Sequence, residues 1–223
     1  MKGKVSKNKF LKVVLPALLV VAIICQAVGF QAVLAKGNVA TTSSDSISNL
    51  TDQQLQALTN PILQSYKADS SHKVWKMTDD SRLAVLANQT NIENARLQEV
   101  VKLVNSEFVE KEIISSPLAM VYAQEKDVSY GDILIDIDQT SSITSSSNSK
   151  EAYKITIGEN GVRLTGASEN AIMHGLRTIQ NLIITNDGLV YGEIVDYPNV
   201  AERRVHVDCA RKYISKDWFI RQI

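Results

Sequence analysis

Two stretches of the chain carry apolar residues at helical spacing. In residues 92–111 one apolar face consists of Leu97, Val100, Val101, Val104 and Phe108. After Ser168, whose hydroxyl suits an N-cap position, a second face consists of Ile172, Leu176, Ile179 and Ile183. Both patterns predict amphipathic helices that pack one face against another layer of the protein.

Short β-prone runs, several with strict alternation of apolar and polar residues, surround these helices. They are residues 74–77, 82–87, 118–123, 133–138, 153–157, 162–165 and 189–195. Asn160-Gly161 stands between two of these runs and predicts a hairpin, because both residues tolerate a positive φ. Asp79 and Asp80 lie in a turn-forming stretch, so we interpret them as turn residues rather than catalytic carboxylates. The elements predict an α+β fold in which two helices cover a mainly antiparallel sheet.

Three aspartates, Asp132, Asp136 and Asp138, cluster at one of these strands. Carboxylates at such spacing raise the question of calcium, but Asp136 and Asp138 alone share a strand face, and no glycine-bearing ligand loop follows. We therefore expect these carboxylates to lie on the solvated face of a strand. No Cys or His pair has metal-ligand spacing and no nucleotide-binding motif is present, so we predict neither a metal nor a cofactor.

The amino terminus has the pattern of an export signal. Residues 1–12 are basic, residues 13–25 are almost wholly apolar, and small residues lead to a predicted cleavage site after Ala35. An uncleaved anchor over residues 13–35 is the alternative, and only in that case would the protein contact a membrane. Both readings place the chain outside the cytoplasm, as a secreted or cell-surface protein. Residues 36–72 are then a linker and lead-in, with ordered structure expected from near Lys73.

The charge balance and the cysteine content exclude one class of partner and one source of stability. The chain has 24 basic and 24 acidic residues, and removal of the signal leaves 19 basic residues against 24 acidic ones. Such a surface has no excess positive charge for a nucleic-acid backbone, so nucleic acid is not an expected partner. Cys209 would be the single remaining cysteine, so no intrachain disulfide can form and the fold depends on its apolar core. His72, His174 and His206 are interpreted as packed or surface histidines.

Candidate chemistry is concentrated near the carboxyl terminus. A short β-prone run over residues 203–207 ends at Asp208, Arg211 follows three residues later, and Ser215 is the predicted N-cap of a helix over residues 216–223. In a barrel of βα units, polar groups at the carboxyl ends of strands face the active site. Arg211 offers a planar fork of donors that suits hydroxyls or carboxylates, and Asp208 could hold that fork in place. A surface ion pair at a strand end explains the same spacing equally well.

These residues resemble glycoside hydrolase family 20, the β-N-acetylhexosaminidases and related lacto-N-biosidases. The family's pattern at its first barrel strand is matched by Asp196-Tyr197-Pro198, Arg203, the apolar run 205–207 and Asp208-Cys209-Ala210-Arg211-Lys212-Tyr213. Residues 153–164 and 170–178 resemble the family's non-catalytic amino-terminal domain. With Asn60-Pro61 and Val74-Trp75 included, the resemblance extends over most of residues 60–223. Lys212 stands where many members have His, and His206 stands where they have an apolar residue.

The resemblance implies four regions: a signal peptide (1–35), a lead-in (36–72), a hexosaminidase-type amino-terminal α+β domain (73–198), and the start of a truncated (β/α)8 barrel (199–223). It also implies that Arg211 binds the ring hydroxyls of a terminal N-acetylhexosamine, with Arg203, Asp208 and Tyr213 as structural support. The expected partner is thus a glycan that ends in N-acetylhexosamine.

The family's reaction retains configuration, and the substrate's own 2-acetamido oxygen is the nucleophile. An Asp orients that amide and the adjacent Glu protonates the leaving oxygen, yet no Asp-Glu dipeptide occurs in the chain. A complete barrel takes about 250 residues, whereas 21 residues follow Glu202. We therefore expect the amino-terminal part of an exported hexosaminidase, inactive by itself. Two alternatives are a secreted or anchored module that binds carbohydrate or protein without catalysis, and another barrel glycosidase with a similar amino-terminal domain.

Overall fold

A computed structural model describes residues 47–138, 143, 150–200, 202–204, 206 and 213–222. The predicted signal peptide, Asp208 and Arg211 lie outside these residues. Five α-helices have both ends in the described part: α1 (Asp52–Gln56), α2 (Gln89–Ile92), α3 (Ala95–Glu110), α4 (Glu169–Asn186) and α5 (Lys216–Gln222). A 3-10 helix spans Glu125–Asp127. None of the helices in those ranges is long and apolar enough to cross a lipid bilayer.

Nine strands form a large sheet and a small one. They are β1 (Ser65–Ala68), β2 (Val74–Trp75), β3 (Arg82–Leu86), β4 (Ala119–Ala123), β5 (Ile133–Ile137), β6 (Tyr153–Gly158), β7 (Gly161–Gly166), β8 (Leu189–Val190) and β9 (Gly192–Asp196). The large sheet has the order β1-β9-β6-β7-β5-β3-β4, and β2 pairs with β8 in the small sheet.

The large sheet is mixed, which corrects the expectation of a mainly antiparallel one. β1, β9, β6 and β7 pair antiparallel, whereas β7, β5, β3 and β4 pair parallel. β4 runs parallel to β3 because α3 carries the chain back over the sheet between them, so that both strands start at the same end of the sheet. The α+β class itself is confirmed, with helices packed on one sheet.

The two long helices lie on one face of the sheet, as their apolar spacing predicts. All five predicted residues of α3 and three of the four in α4 are buried, and Ile183 is partly buried against the core. Asn94 accepts a hydrogen bond from the backbone N of Leu97 at 2.9 Å, and Ser168 accepts one from the backbone N of Ala171 at 3.3 Å. These caps satisfy amide groups that have no partner within the helix. Burial of a side chain such as Phe108 contributes about 2–3 kcal/mol.

The hairpin between β6 and β7 is confirmed, with a turn that differs in detail. Gly158 pairs with Gly161, so Glu159 and Asn160 form the loop. Gly161 has a φ of 90°, whereas Asn160 does not adopt a positive φ. A Cβ atom at Gly161 would come within 2.6 Å of the carbonyl oxygen of Asp132. The positive φ required by this turn is therefore met by the glycine.

Ordered structure begins well before Lys73, contrary to the sequence prediction. Thr51 and Gln54 form a capping box at the start of α1, and β1 pairs with β9 along its whole length. The weak apolar pattern of this region gave no strand signal because β1 is only four residues long and lies at the sheet edge. The predicted strand over residues 189–195 is divided into β8 and β9, which are separated by Tyr191. Gly192, the first residue of β9, has a φ of 146°.

The expectation of solvated aspartates is wrong for Asp132 and Asp136. Their exposed fractions are 1% and 6%, respectively. Arg82 donates to Asp132 through Nε at 2.8 Å and Nη2 at 2.6 Å. Asn91 donates to Asp136 at 2.9 Å and Asn88 does so at 3.2 Å. Side chains from neighbouring elements therefore cover both carboxylates and replace the water that an open strand face would offer.

Asp132 is held in its charged form by these contacts. Burial by itself would raise the pKa of its carboxyl group, but the Arg82 guanidinium and the hydrogen bonds from Ser129 outweigh that effect and lower the pKa. Ser129 donates to Oδ2 through its backbone N at 2.8 Å and its hydroxyl at 2.9 Å. Asp132 therefore fixes the loop that precedes β5.

Candidate functional site

A cleft of about 460 Å³ opens where the chain leaves the large sheet. It lies between the residues that lead into β1, the outer face of α4 and the residues that follow β9. Its polar lining includes Gln64, Glu151, Tyr153, His174, Arg177 and Asp196. Asn60 and Pro61, joined by a cis peptide bond, form part of its rim.

Tyr153 and Asp196 form the floor of the cleft. Tyr153, the first residue of β6, is 2% exposed, and its hydroxyl donates to Asp196 Oδ2 at 2.8 Å. The same hydroxyl lies 2.5 Å from the Thr178 hydroxyl on α4. Burial raises the pKa of Tyr153 well above its ordinary value, and the Asp196 carboxylate raises it further. Tyr153 is therefore a neutral donor that joins a helix to two strands.

Glu151 is the carboxylate that faces the cleft from the residues before β6. Its Oε2 accepts a hydrogen bond from Arg203 Nη2 at 2.6 Å, and its Oε1 lies 3.7 Å from His174 Nε2. His174 is on the outer face of α4, so the carboxylate stands between a helix and the segment that follows β9. Burial is partial: the side chain of Glu151 is 26% exposed and that of Arg203 is 47% exposed.

Arg177 closes the cleft on the side of α4. Its guanidinium donates to Glu107 of α3 through Nε at 3.2 Å and Nη2 at 2.7 Å. This bidentate pair ties the two long helices together and fixes the direction of the arginine side chain. The charged groups of the cleft are thus held by protein partners, and the polar atoms that border it can accept and donate hydrogen bonds.

This chemistry suits binding and positioning. Tyr153 is held neutral between Asp196 and Thr178, and Glu151 is ion-paired with Arg203. Among the residues that the structure describes, no cluster of three or more His, Cys, Asp and Glu side chains could hold a metal ion. With these contacts, the cleft offers hydrogen-bond donors and acceptors in fixed positions.

The structure locates several residues that the sequence singled out. His174 lines the cleft, whereas His72 has a φ of 48° in an exposed turn. Asp79 lies in an exposed turn and accepts a hydrogen bond from the backbone N of Ser115 at 3.1 Å, which agrees with its interpretation as a turn residue. Tyr213 is 88% exposed. Ser215 caps α5 by accepting from the backbone N of Trp218 at 3.2 Å, as predicted.

The proposed ligand-binding arginine, Arg211, lies outside the described residues together with Asp208, so its assignment stays a prediction. Sequence reasoning missed Glu151 and Gln64 as members of the cleft. Neither residue belongs to a motif or a periodic pattern, and both acquire their roles from contacts with residues more than 50 positions away. Only the position of Glu151 two residues before a predicted strand could have drawn attention to it.

Comparison with known proteins identifies relatives of this fold. The family model for glycosyl hydrolase family 20, domain 2, matches residues 60–197. Beta-hexosaminidase B from Pseudoalteromonas piscicida is 31% identical over 72 residues, which are 32% of this chain and 9% of that protein. The matched part of the chain therefore spans about a tenth of the length of that curated relative.

Two solved structures share the fold. The chitobiase of Flavobacterium johnsoniae is similar with a TM-score of 0.56 and 16% identity, over 75% of this chain and 24% of the other. The GH20 β-N-acetylhexosaminidase of Streptomyces coelicolor is similar with a TM-score of 0.52 and 17% identity, over 70% of this chain and 30% of the other. In both cases the similarity is confined to less than a third of the larger protein.

Proposed function

Since the chain belongs to glycosyl hydrolase family 20, we propose that it is the amino-terminal part of an exported β-N-acetylhexosaminidase. Its folded unit of sheet and helices is the non-catalytic domain that precedes the barrel. Residues 199–223 begin the barrel itself. The substrate class is a glycan with a terminal N-acetylhexosamine.

One observation carries this proposal: the match to domain 2 of the family covers residues 60–197, which include every strand of both sheets and the two long helices. The resemblance of residues 203–213 to the family's first barrel strand follows directly after that match. The order of the two features along the chain is the order expected for an amino-terminal domain joined to a barrel. The relatives' names, which refer to hexosaminidase and chitobiase, support the substrate class.

The proposed chemistry is substrate-assisted hydrolysis with retention of configuration. The 2-acetamido oxygen of the sugar attacks the anomeric carbon and displaces the leaving oxygen, which takes a proton from a Glu. A neighbouring Asp orients the acetamido group, and water then opens the cyclic intermediate. Arg211 supplies a fork of donors to the ring hydroxyls of the terminal sugar.

The catalytic Asp-Glu pair is absent from the 223 residues, so residues 36–223 are proposed to be inactive by themselves. The test is an assay of that purified segment with an aryl N-acetylglucosaminide, next to a complete hexosaminidase measured under the same conditions. We expect no release of the aryl group above the buffer background. Turnover that scales with protein concentration and survives further purification would refute the assignment of the catalytic pair to another part of the enzyme.

Export is tested separately, by mass spectrometry of the mature protein. Cleavage after Ala35 predicts an amino-terminal peptide that begins at Lys36. Replacement of two central leucines of the apolar run, Leu18 and Leu19, with Arg should leave the protein in the cytoplasm, because the run would no longer be apolar. Recovery of the unmodified Met1 peptide from the membrane fraction would favour the uncleaved anchor.

A second function, a module that binds carbohydrate without catalysis, is favoured by the cleft around Tyr153 and Glu151. Its carboxylates, amides and arginines are groups that pair with sugar hydroxyls. Titration of residues 36–223 with chito-oligosaccharides, followed by NMR or calorimetry, distinguishes the two functions. Saturable binding that is lost in Glu151→Gln supports the binding module, and no binding supports the enzyme domain.

A further inference from the structure

The segment that leaves the large sheet is fixed along the residues that lead into β1. The backbone N of Gln64 donates to Asp196 Oδ1 at 3.1 Å. The side-chain amide of Gln64 donates to the carbonyl oxygen of Tyr197 at 3.2 Å and to Asn199 Oδ1 at 2.7 Å. One glutamine therefore holds the last residue of β9 and two residues of the segment that follows it.

A second anchor lies four residues further on. Arg203 Nη1 donates to the carbonyl oxygen of Val200 at 2.8 Å, and Nη2 donates to Glu151 Oε2 at 2.6 Å. The guanidinium therefore closes a turn in its own segment and ties that turn to the residues before β6. We call Gln64, Glu151, Asn199 and Arg203 the exit clasp.

We propose that the exit clasp positions the chain where it passes from the sheet domain into the barrel, with Glu151 as the positioning residue. This inference rests on the proposed function for the role of the segment beyond Arg203. Arg211 follows Arg203 by eight residues, a length of chain that reaches at most about 29 Å. An anchor at Arg203 therefore limits how far the start of the barrel can move relative to the sheet.

The geometry of Arg203 suits this role. Its planar fork bonds two acceptors at the same time, which the single ammonium group of a lysine cannot do with the same directions. The neighbouring Arg204 behaves differently, since its Nη2 donates to Glu202 Oε2 at 2.8 Å, two residues away. Both side chains of that pair are highly exposed, at 82% and 77%. Adjacent arginines thus make one contact across the fold and one purely local contact.

The groups that face Glu151 explain why its carboxylate is the centre of the clasp. Arg203 approaches Oε2 from the exit segment, and His174 approaches Oε1 from α4. The carboxylate therefore joins three elements through its two oxygens. Because both partners are partly exposed, the ion pair with Arg203 and the contact with His174 each contribute modestly to stability. The main effect of the clasp is to restrict the exit segment rather than to hold the sheet together.

The experiment is hydrogen–deuterium exchange of the full 223-residue chain, read by mass spectrometry on peptides that span residues 199–206. We expect Glu151→Gln and Arg203→Gln each to increase exchange in these peptides about two- to fivefold, as for loss of a partly exposed ion pair. Arg204→Gln is the matched control and should leave that exchange unchanged. The midpoint of urea unfolding should change little in all three variants, as expected for loss of a partly exposed ion pair, since the sheet and helices keep their other contacts.

Rescue separates positioning from a general structural role. The charge-reversed pair Glu151→Arg with Arg203→Glu should restore at least half of the lost protection, whereas each single reversal should not. Unchanged exchange in both Glu151→Gln and Arg203→Gln would overturn the inference, as would an equal increase in Arg204→Gln. If Glu151→Gln fails to fold, Arg203→Gln decides, because Arg203 lies outside the strands and helices. Activity is not measured, so a failure of the proposed function would not produce any of these results.

Discussion

Tyr153 and Asp196 form a cross-strand pair whose side chains are joined by a 2.8 Å hydrogen bond. The pair links the first residue of β6 to the last residue of β9, at the point where the chain leaves the sheet. Because the Tyr153 hydroxyl also contacts Thr178, the same interaction fixes α4 against both strands. The end of the sheet domain is therefore defined by a buried polar contact as well as by apolar packing.

Removal of this hydroxyl should destabilise the domain. Tyr153→Phe removes the hydrogen bond to Asp196 Oδ2 and the contact with the Thr178 hydroxyl, so we expect a loss of about 1–3 kcal/mol in the free energy of unfolding. Urea titrations followed by circular dichroism measure the change. Tyr122→Phe is the matched control, because Tyr122 lies half exposed on the edge strand β4. Equal stability of Tyr153→Phe and the unaltered chain would show that the hydrogen bond contributes nothing.

The ion pair between Arg82 and Asp132 should make stability depend on pH. The folded-state pKa of Asp132 is lowered from 3.8, so its contribution is fully present above that value and is lost as the pH falls through the folded pKa. Asp132→Asn should lower the free energy of unfolding by about 1–2 kcal/mol near neutral pH. The loss is no larger because the Arg82 side chain is partly exposed to water, which weakens the ion pair. The loss should be smaller in acid, where the native carboxyl group is protonated.

Urea midpoints between pH 2 and pH 7 test this dependence. Asp80→Asn serves as the control, since Asp80 is exposed in the turn before β3. A stability difference between Asp132→Asn and the unaltered chain that stays constant across the whole range would contradict the assignment of the charge to Asp132.

Two glycines of the same hairpin should respond oppositely to alanine. At Gly161 a Cβ atom would lie 2.6 Å and 2.8 Å from backbone oxygens of Asp132 and Ser129, and the φ is 90°. Gly161→Ala should therefore destabilise the domain by about 1–3 kcal/mol. At Gly158 a Cβ atom meets nothing within 4 Å, so Gly158→Ala should be neutral or slightly stabilising. The midpoints of thermal unfolding of the two variants, measured under the same conditions, test this difference. Similar midpoints would contradict the positive φ and the close backbone contacts at Gly161.

The proposed subsite role of Arg211 is tested in the complete hexosaminidase to which we propose that this chain belongs. Arg211→Ala removes a charged hydrogen bond of roughly 1.5–3 kcal/mol, which corresponds to about 10- to 150-fold in affinity for the terminal sugar. Steady-state kinetics with an aryl N-acetylglucosaminide measure the effect, and Arg204→Ala is the control with the same change in charge. Unchanged KM and kcat in Arg211→Ala would end the assignment.

Local sequence patterns were sufficient to predict the helices and caps that depend on residues only a few positions apart. The caps at Ser168 and Ser215 and the apolar faces of α3 and α4 depend on short spacings, and the structure confirms them. The spacing of Asp132 and Asp136 was equally visible in the sequence, but the burial of their carboxylates was not. Their burial depends on Arg82, Asn88 and Asn91, which precede them by 45 to 50 positions.

The sequence by itself determined the class of fold, the two long helices, the β6–β7 hairpin and the resemblance to its family, because each rests on side-chain periodicity, turn chemistry or a contiguous motif. Tertiary structure decided the parallel half of the sheet, the inclusion of β1, the burial of the aspartates and the cleft around Glu151. These features arise from pairing and packing between distant segments. Local propensity carries no information on such contacts, because their energy depends on which surfaces meet once the chain has folded.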